Sequence, residues 1–152
     1  MSNETLAQHD FGALLAEHGE LMGEIAELRR WWDEVEQLGV PRFGEMGSRM
    51  KLLRDHLQSH FEIEEAGGYL AGVLAIAPRF SEEARRLCMQ HRQLLNTLDS
   101  FIERLTALEP PFHGWDETRE EFDGFLLQLH RHEAAENEII QSAFNQDAGT
   151  VD

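Results

Sequence analysis

The sequence predicts an all-α protein, an antiparallel up-and-down four-helix bundle in a single domain spanning residues 1–152. Three observations lead there. Apolar residues recur at steps of three and four through four long segments, the spacing that gives a helix one buried face. The four prolines, Pro41, Pro78 and the pair Pro110-Pro111, fall between those segments, where their missing N–H does no harm. No β-type alternation competes with the period, and the connections are short enough to make successive helices antiparallel neighbours.

The first helix is expected over roughly 10–38, with Asp10 to cap its start and Gly39 followed by Pro41 to end it. Its stripe reads Phe11, Leu14, Leu15, Met22, Ile25, Leu28, Trp32, Val35 and Leu38, with His18 facing inward between Leu15 and Met22. The second, about 43–65, carries Met46, Met50, Leu53 and Leu57, and this apolar row runs directly into His60 and Glu64. Gly67-Gly68 disfavours further helix by about 1 kcal/mol per residue relative to alanine. A break is expected there, then a short continuation over 69–77 that is either helical or a packed connection. The third helix, 81–108, has Ser81 as its cap and Glu82 and Glu83 in the first turn, where the helix dipole favours acids. A single histidine, His91, interrupts its stripe of Ala84, Leu87, Cys88, Leu94, Leu95, Leu98, Phe101, Ile102, Leu105 and Leu108. The fourth, 116–144, starts at Asp116 as cap and sets His132 and Glu136 among Phe122, Phe125, Leu126, Leu129, Ile139, Ile140 and Ala143.

The totals narrow the function. A formal charge of −16, from 13 basic and 29 acidic residues, argues against nucleic acid and against anionic membrane as partners, since both would repel such a surface. The one cysteine, Cys88, makes no internal disulfide, and the first thirty residues lack the basic start and apolar run of a signal peptide. No stretch approaches the roughly eighteen apolar residues that a membrane span requires. A cytoplasmic location is expected.

The two halves of the chain repeat. His18 and His91 stand 73 residues apart; His60 and His132, and Glu64 and Glu136, each stand 72 apart. Leu57-x-x-His60-x-x-x-Glu64 returns as Leu129-x-x-His132-x-x-x-Glu136. Each half is one helix with a lone histidine followed by one helix with a histidine and a glutamate a turn apart on one face. A lone histidine on an apolar stripe is ordinarily a hydrogen-bonded core residue. Two buried carboxylates beside four imidazoles are another matter, because each unpaired charge costs several kcal/mol of a domain's roughly 5–15 kcal/mol stability. Paired histidine–carboxylate hydrogen bonds would relieve that cost, but matching sets in both halves are explained more economically by a pair of metal ions.

Imidazole and carboxylate without thiolate suit iron, manganese or zinc. We expect two non-haem irons, with His18, His60, His91 and His132 as terminal ligands and Glu64 and Glu136 as bridges; which histidines share an iron is left open by the sequence. The Glu-x-x-His of ferritin-like di-iron bundles is absent, since no histidine follows a glutamate by three residues. The zinc-protease His-Glu-x-x-His fails too, because Glu136 stands where its second histidine belongs. His56, one turn before His60, can be read as a further ligand, as a partner orienting an acid, or as a boundary residue. Glu62, Glu65, Glu133 and Glu138 read as solvated, with Glu65 and Glu133 flanking the site closely enough to tune it. Cys88 reads as a small core residue, and His9, His113 and His130 take no role.

On His18, His60-x-x-x-Glu64, His91 and His132-x-x-x-Glu136, the sequence resembles the hemerythrin-like proteins with the HHE cation-binding domain. The resemblance covers essentially the whole chain. It implies an up-and-down bundle holding a non-haem di-iron centre, with an oxo or hydroxo bridge, that reacts with oxygen or nitric oxide. The oxygen-carrying members have a second histidine one turn away on the third helix, where this chain has Leu87 and Leu95, and an aspartate where it has Asn137. The four-histidine, two-glutamate set is more similar to the di-iron domain of proteins that repair iron–sulfur centres. The expected function is therefore binding or sensing of oxygen or nitric oxide, with a redox partner protein. The alternatives are a di-iron enzyme of nitrosative or oxidative stress defence, reducing nitric oxide or peroxide or repairing iron–sulfur centres, and a metal-stabilised interaction module, with zinc or manganese as alternatives to iron.

Overall fold

Four long stretches without an internal proline fold as four helices among the described residues: α1 (Asn3–Leu38), α2 (Phe43–Glu65), α3 (Ser81–Leu105) and α4 (Trp115–Gly149), with one 3-10 turn at Pro78–Phe80 leading into α3. The computed structural model describes residues 3–65 and 77–149, with side chains over 15–65 and 77–143. The expected continuation over 69–77 lies outside the described residues except for Ala77, which is buried and not helical.

The helix ends depart from expectation where a residue suited to capping does not mark the boundary. α1 begins at Asn3, so Asp10 lies inside it. Glu4, Leu6, Ala7 and Gln8 are good helix formers, and an interior aspartate costs only about 0.5 kcal/mol, too little to delay the start. The other end is as expected: Gly39 adopts φ +74, and its N–H donates to the Glu36 carbonyl at 3.1 Å. At α3 the cap position belongs to Phe80, without a side-chain hydrogen bond, and Ser81 is the first helical residue. Pro78, at the start of the 3-10 turn, has already begun the helical course. α3 stops at Leu105 rather than 108; the Thr106 hydroxyl donates back to the Ile102 carbonyl at 2.9 Å, and Leu108 is fully exposed. The residue before Pro110-Pro111 is driven out of helical geometry, which sets the last turn back from it. α4 starts at Trp115, placing Asp116 in its first turn, and runs to Gly149 because no proline or glycine pair stops it at 144.

α1 packs on α2, α2 on α3 and α3 on α4. Arg119 of α4 reaches Asp33 of α1 at 2.7 Å, so the first and last helices are also neighbours. At the end where α1 and α3 finish, Trp32 stacks on Trp115 (4.5 Å between ring centroids) and on Phe122 (4.9 Å). That apolar core continues through Met46, Met50, Leu53, Leu57, Leu94, Leu98 and Leu129. A smaller cluster, Ala77, Leu87, Ile139, Ile140 and Ala143, occupies the other side. Leu15 and Leu38, expected on the stripe, are largely exposed. Between the two clusters the buried side chains turn polar: His18, His60, Glu64, His91, His132, Glu133 and Glu136.

Candidate metal centre

Each helix contributes to this polar layer at the height its stripe dictates. His18 on α1 and His91 on α3 are single inward positions, while α2 and α4 present His60 with Glu64 and His132 with Glu136 a turn apart. The structure brings all six together, and pairs the histidines by half of the chain. His18 and His60 lie with ring centroids 4.7 Å apart, and His91 and His132 at the same 4.7 Å. One ligand atom from each of His18, His60, Glu64 and Glu136 falls within 4.8 Å of the others, and so does one from each of Glu64, His91, His132 and Glu136. The two groups share both carboxylates.

How the carboxylates are shared is specific. Glu64 turns Oε1 toward His60 Nε2 and His18 Nε2 (3.3 Å from the latter), and Oε2 toward His91 Nε2 at 2.9 Å. Glu136 does the mirror image: Oε1 lies 3.0 Å from His91 Nε2 and 2.5 Å from His132 Nε2, while Oε2 lies 3.6 Å from His18 Nε2. Each carboxylate thus gives one oxygen to each histidine pair.

The outer nitrogens of three of these histidines face polar side chains. His91 Nδ1 donates to Glu65 Oε1 at 3.0 Å, and His132 Nδ1 to the Gln90 side-chain oxygen at 2.8 Å. His60 Nδ1 faces Glu17 Oε1 at 3.2 Å. A donor fixed at Nδ1 leaves the Nε2 lone pair aimed at the centre, the arrangement by which ligating histidines are oriented. Glu17 and Gln90 escaped the sequence reading. A signal existed, because they precede His18 and His91 and so stand 73 residues apart, in the register of the repeat.

The electrostatics describe a cluster of opposed charges held out of water. Burial works against a charged His91, but Glu136 and Glu64 on either side of Nε2 outweigh it and drive the imidazole up to about 10. Burial likewise opposes ionisation of Glu64, and the imidazoles of His18, His60 and His91 around it pull its carboxyl well below the usual range. His18 and His60 are raised against their own burial, chiefly by Glu64.

These residues fit a cation better than they fit one another. Nε2 of His60, Nε2 of His132 and Oε2 of Glu64 are buried and make no hydrogen bond, although oxygen or nitrogen atoms of opposite character lie at contact distance. Atoms that approach closely yet point past each other are what converging ligands look like. The donor set, four imidazoles and two carboxylates, is that of iron, zinc or manganese.

Other expected residues land elsewhere. His56 joins neither group; it is partly exposed and its Nδ1 pairs with Glu24 of α1. Glu133, expected to be solvated, is buried at 6 % exposure, and burial pushes its carboxyl up to about 7. Its place three residues before Glu136 puts it on the inward side of α4, which the spacing could have revealed. Cys88 is half-buried, and burial raises its thiol so that it stays protonated; with Glu65 and His91 Nδ1 it forms a third group at the edge of the centre. A cleft of about 820 Å³ between α2 and α3 opens on Glu65, Cys88 and His91, and one of about 300 Å³ between α3 and α4 opens on Gln90 and His132. No helix among the described residues is long and apolar enough to cross a membrane.

With this geometry in hand, comparison with known families gives one finding: the family described as hemerythrin, hemerythrin HHE cation-binding domain, matches residues 9–144. No curated protein and no solved structure matches the chain.

Proposed function

The chain belongs to the hemerythrin HHE cation-binding domain family, and from that premise we propose that it holds two non-haem irons and binds or senses oxygen or nitric oxide, as a single cytoplasmic domain served by a redox partner protein. His18 and His60 would hold one ion and His91 and His132 the other, with Glu64 and Glu136 shared between the two. The observation that carries this reading is the division of both carboxylates, one oxygen to each histidine pair. When bound, iron in this setting supplies reversible one-electron chemistry and a coordination position for a diatomic molecule.

The chain's own residues do the rest. Glu65 and Gln90 fix the tautomers of His91 and His132, and Glu17 faces the outer nitrogen of His60. Phe61 lies flat on the His91 ring, 4.0 Å between centroids and 8° from parallel, and keeps that side of the pair dry. The two clefts lead a small molecule to His91 and His132. Four histidines, fewer than in the oxygen carriers, leave positions free for it.

Metal analysis with an optical spectrum tests the proposal. Protein made under iron-replete conditions should carry about two irons per chain and show the charge-transfer bands of a bridged ferric pair. Sub-stoichiometric iron would sink it. Rapid mixing of the reduced protein with nitric oxide should give a stable adduct, and multiple turnovers would move the assignment to an enzyme.

A further inference from the structure

Glu64 and Glu136 each sit on their helix between two flanking side chains, and those flanks differ between the halves. A helix advances about 100° per residue, so the residue four before a glutamate projects about 40° to one side of it and the residue three before about 60° to the other. On α2 these are His60 and Phe61; on α4 they are His132 and Glu133. His60 goes to the pair with His18, while Phe61 goes to the opposite pair, stacked on His91 and edge-on to His132 at 5.7 Å. By the same rotation His132 joins His91, and Glu133 is delivered to the His18/His60 side. Among the charges that act on Glu133, His18 and His60 are both present.

Glu133 is costly where it stands. It is 94 % buried by its 6 % exposure, and its Oε1 makes no hydrogen bond. It is in none of the groups of ligand atoms that lie within 4.8 Å of one another, yet His18 and His60 both act on its charge. Burying a carboxyl with an oxygen that makes no hydrogen bond costs stability, which a cation beside it would offset. Resting on the two-metal reading, we propose that Glu133 is a seventh metal ligand, belonging to the ion held by His18 and His60. That ion then has one more protein donor than its neighbour at His91 and His132, where Phe61 takes the equivalent place and the clefts arrive. The small molecule binds at the second ion, and the first is closed by the protein.

Cobalt(II) is a suitable probe, since its visible absorption falls as coordination number rises. In a His91→Ala background, which weakens the second position, Glu133→Gln should lower cobalt affinity about tenfold or more and raise the absorption per bound ion. In a His18→Ala background the same substitution should change neither. The apoprotein with Glu133→Gln should unfold at a Tm no lower than the wild type, because an unpaired buried acid is lost; a purely structural glutamate would lower it. Glu133→Leu, apolar like its counterpart Phe61, provides the same readings if glutamine fails to fold. Unchanged affinity and spectrum in the His91→Ala background would overturn the proposal. Fewer than two cobalt ions in the wild type would overturn the two-metal reading itself.

Discussion

Behind the rings of the His18/His60 half stands a partly exposed carboxylate, Glu17, and on the same half of the site α4 contributes a buried acid, Glu133. Behind the His91/His132 half stand Glu65 and the uncharged Gln90, and a phenyl ring, Phe61, covers the imidazole instead of an acid. The six central residues are related by the repeat almost atom for atom, down to equal ring separations of 4.7 Å. The residues beside them are not. The repeat holds in the central residues and lapses in their neighbours, so the two histidine pairs share a residue type while differing in charge and in access.

The largest effect should separate shared donors from unshared ones. Glu64→Ala or Glu136→Ala removes an oxygen from both positions at once, and iron content should fall from about two per chain to well under one. His18→Ala or His132→Ala touches one position, and about one iron should remain. Iron counted by mass spectrometry on folded protein decides this. Equal losses from glutamate and histidine variants would mean that the ions bind only as a unit and that the halves have no separate existence.

A smaller effect should come from the residues behind the rings. A carboxylate accepting from Nδ1–H makes the far nitrogen a stronger donor than an amide does, and partners of this kind are worth about 10–100-fold in metal affinity. Glu17→Gln should therefore weaken the His18/His60 position, and Gln90→Glu should strengthen the His91/His132 position, each by about tenfold in stepwise zinc competition titrations. If Gln90→Glu weakens binding instead, its negative charge is disrupting the cluster rather than polarising His132.

The sequence carried the six clustered histidines and glutamates and the bundle because both are periodic. The apolar stripes repeat every three to four residues and the six donors every 72 or 73, and neither needs distances to be seen. What escaped it depends on rotation about a helix or on competition at its ends. Glu133 reads as a surface acid beside His132 until its angle to Glu136 is considered. Asp10 and Asp116 read as caps, yet the helices begin before them, since neither residue disfavours helix strongly enough to mark a boundary. The pairing of His18 with His60 was beyond the repeat, because a twofold relation fixes which residues correspond and leaves open which ones meet.

The smallest effect is expected at His56. It stands one turn from His60 in the same helical row, so spacing alone leaves it eligible as a ligand of the His18/His60 position. Its register partner in the second half is Gln128, which no metal would require, and its Nδ1 is engaged with Glu24 at the surface side of α1. The pair is 29 % and 35 % exposed, and contacts of this sort contribute about 0.5 kcal/mol. His56→Ala should leave two irons per chain and an unchanged spectrum, with Tm lower by about 1–2 °C. Loss of iron equal to that in His60→Ala would show that the row continues one turn further, and that the asymmetry between the halves resides in their histidines rather than in the residues around them.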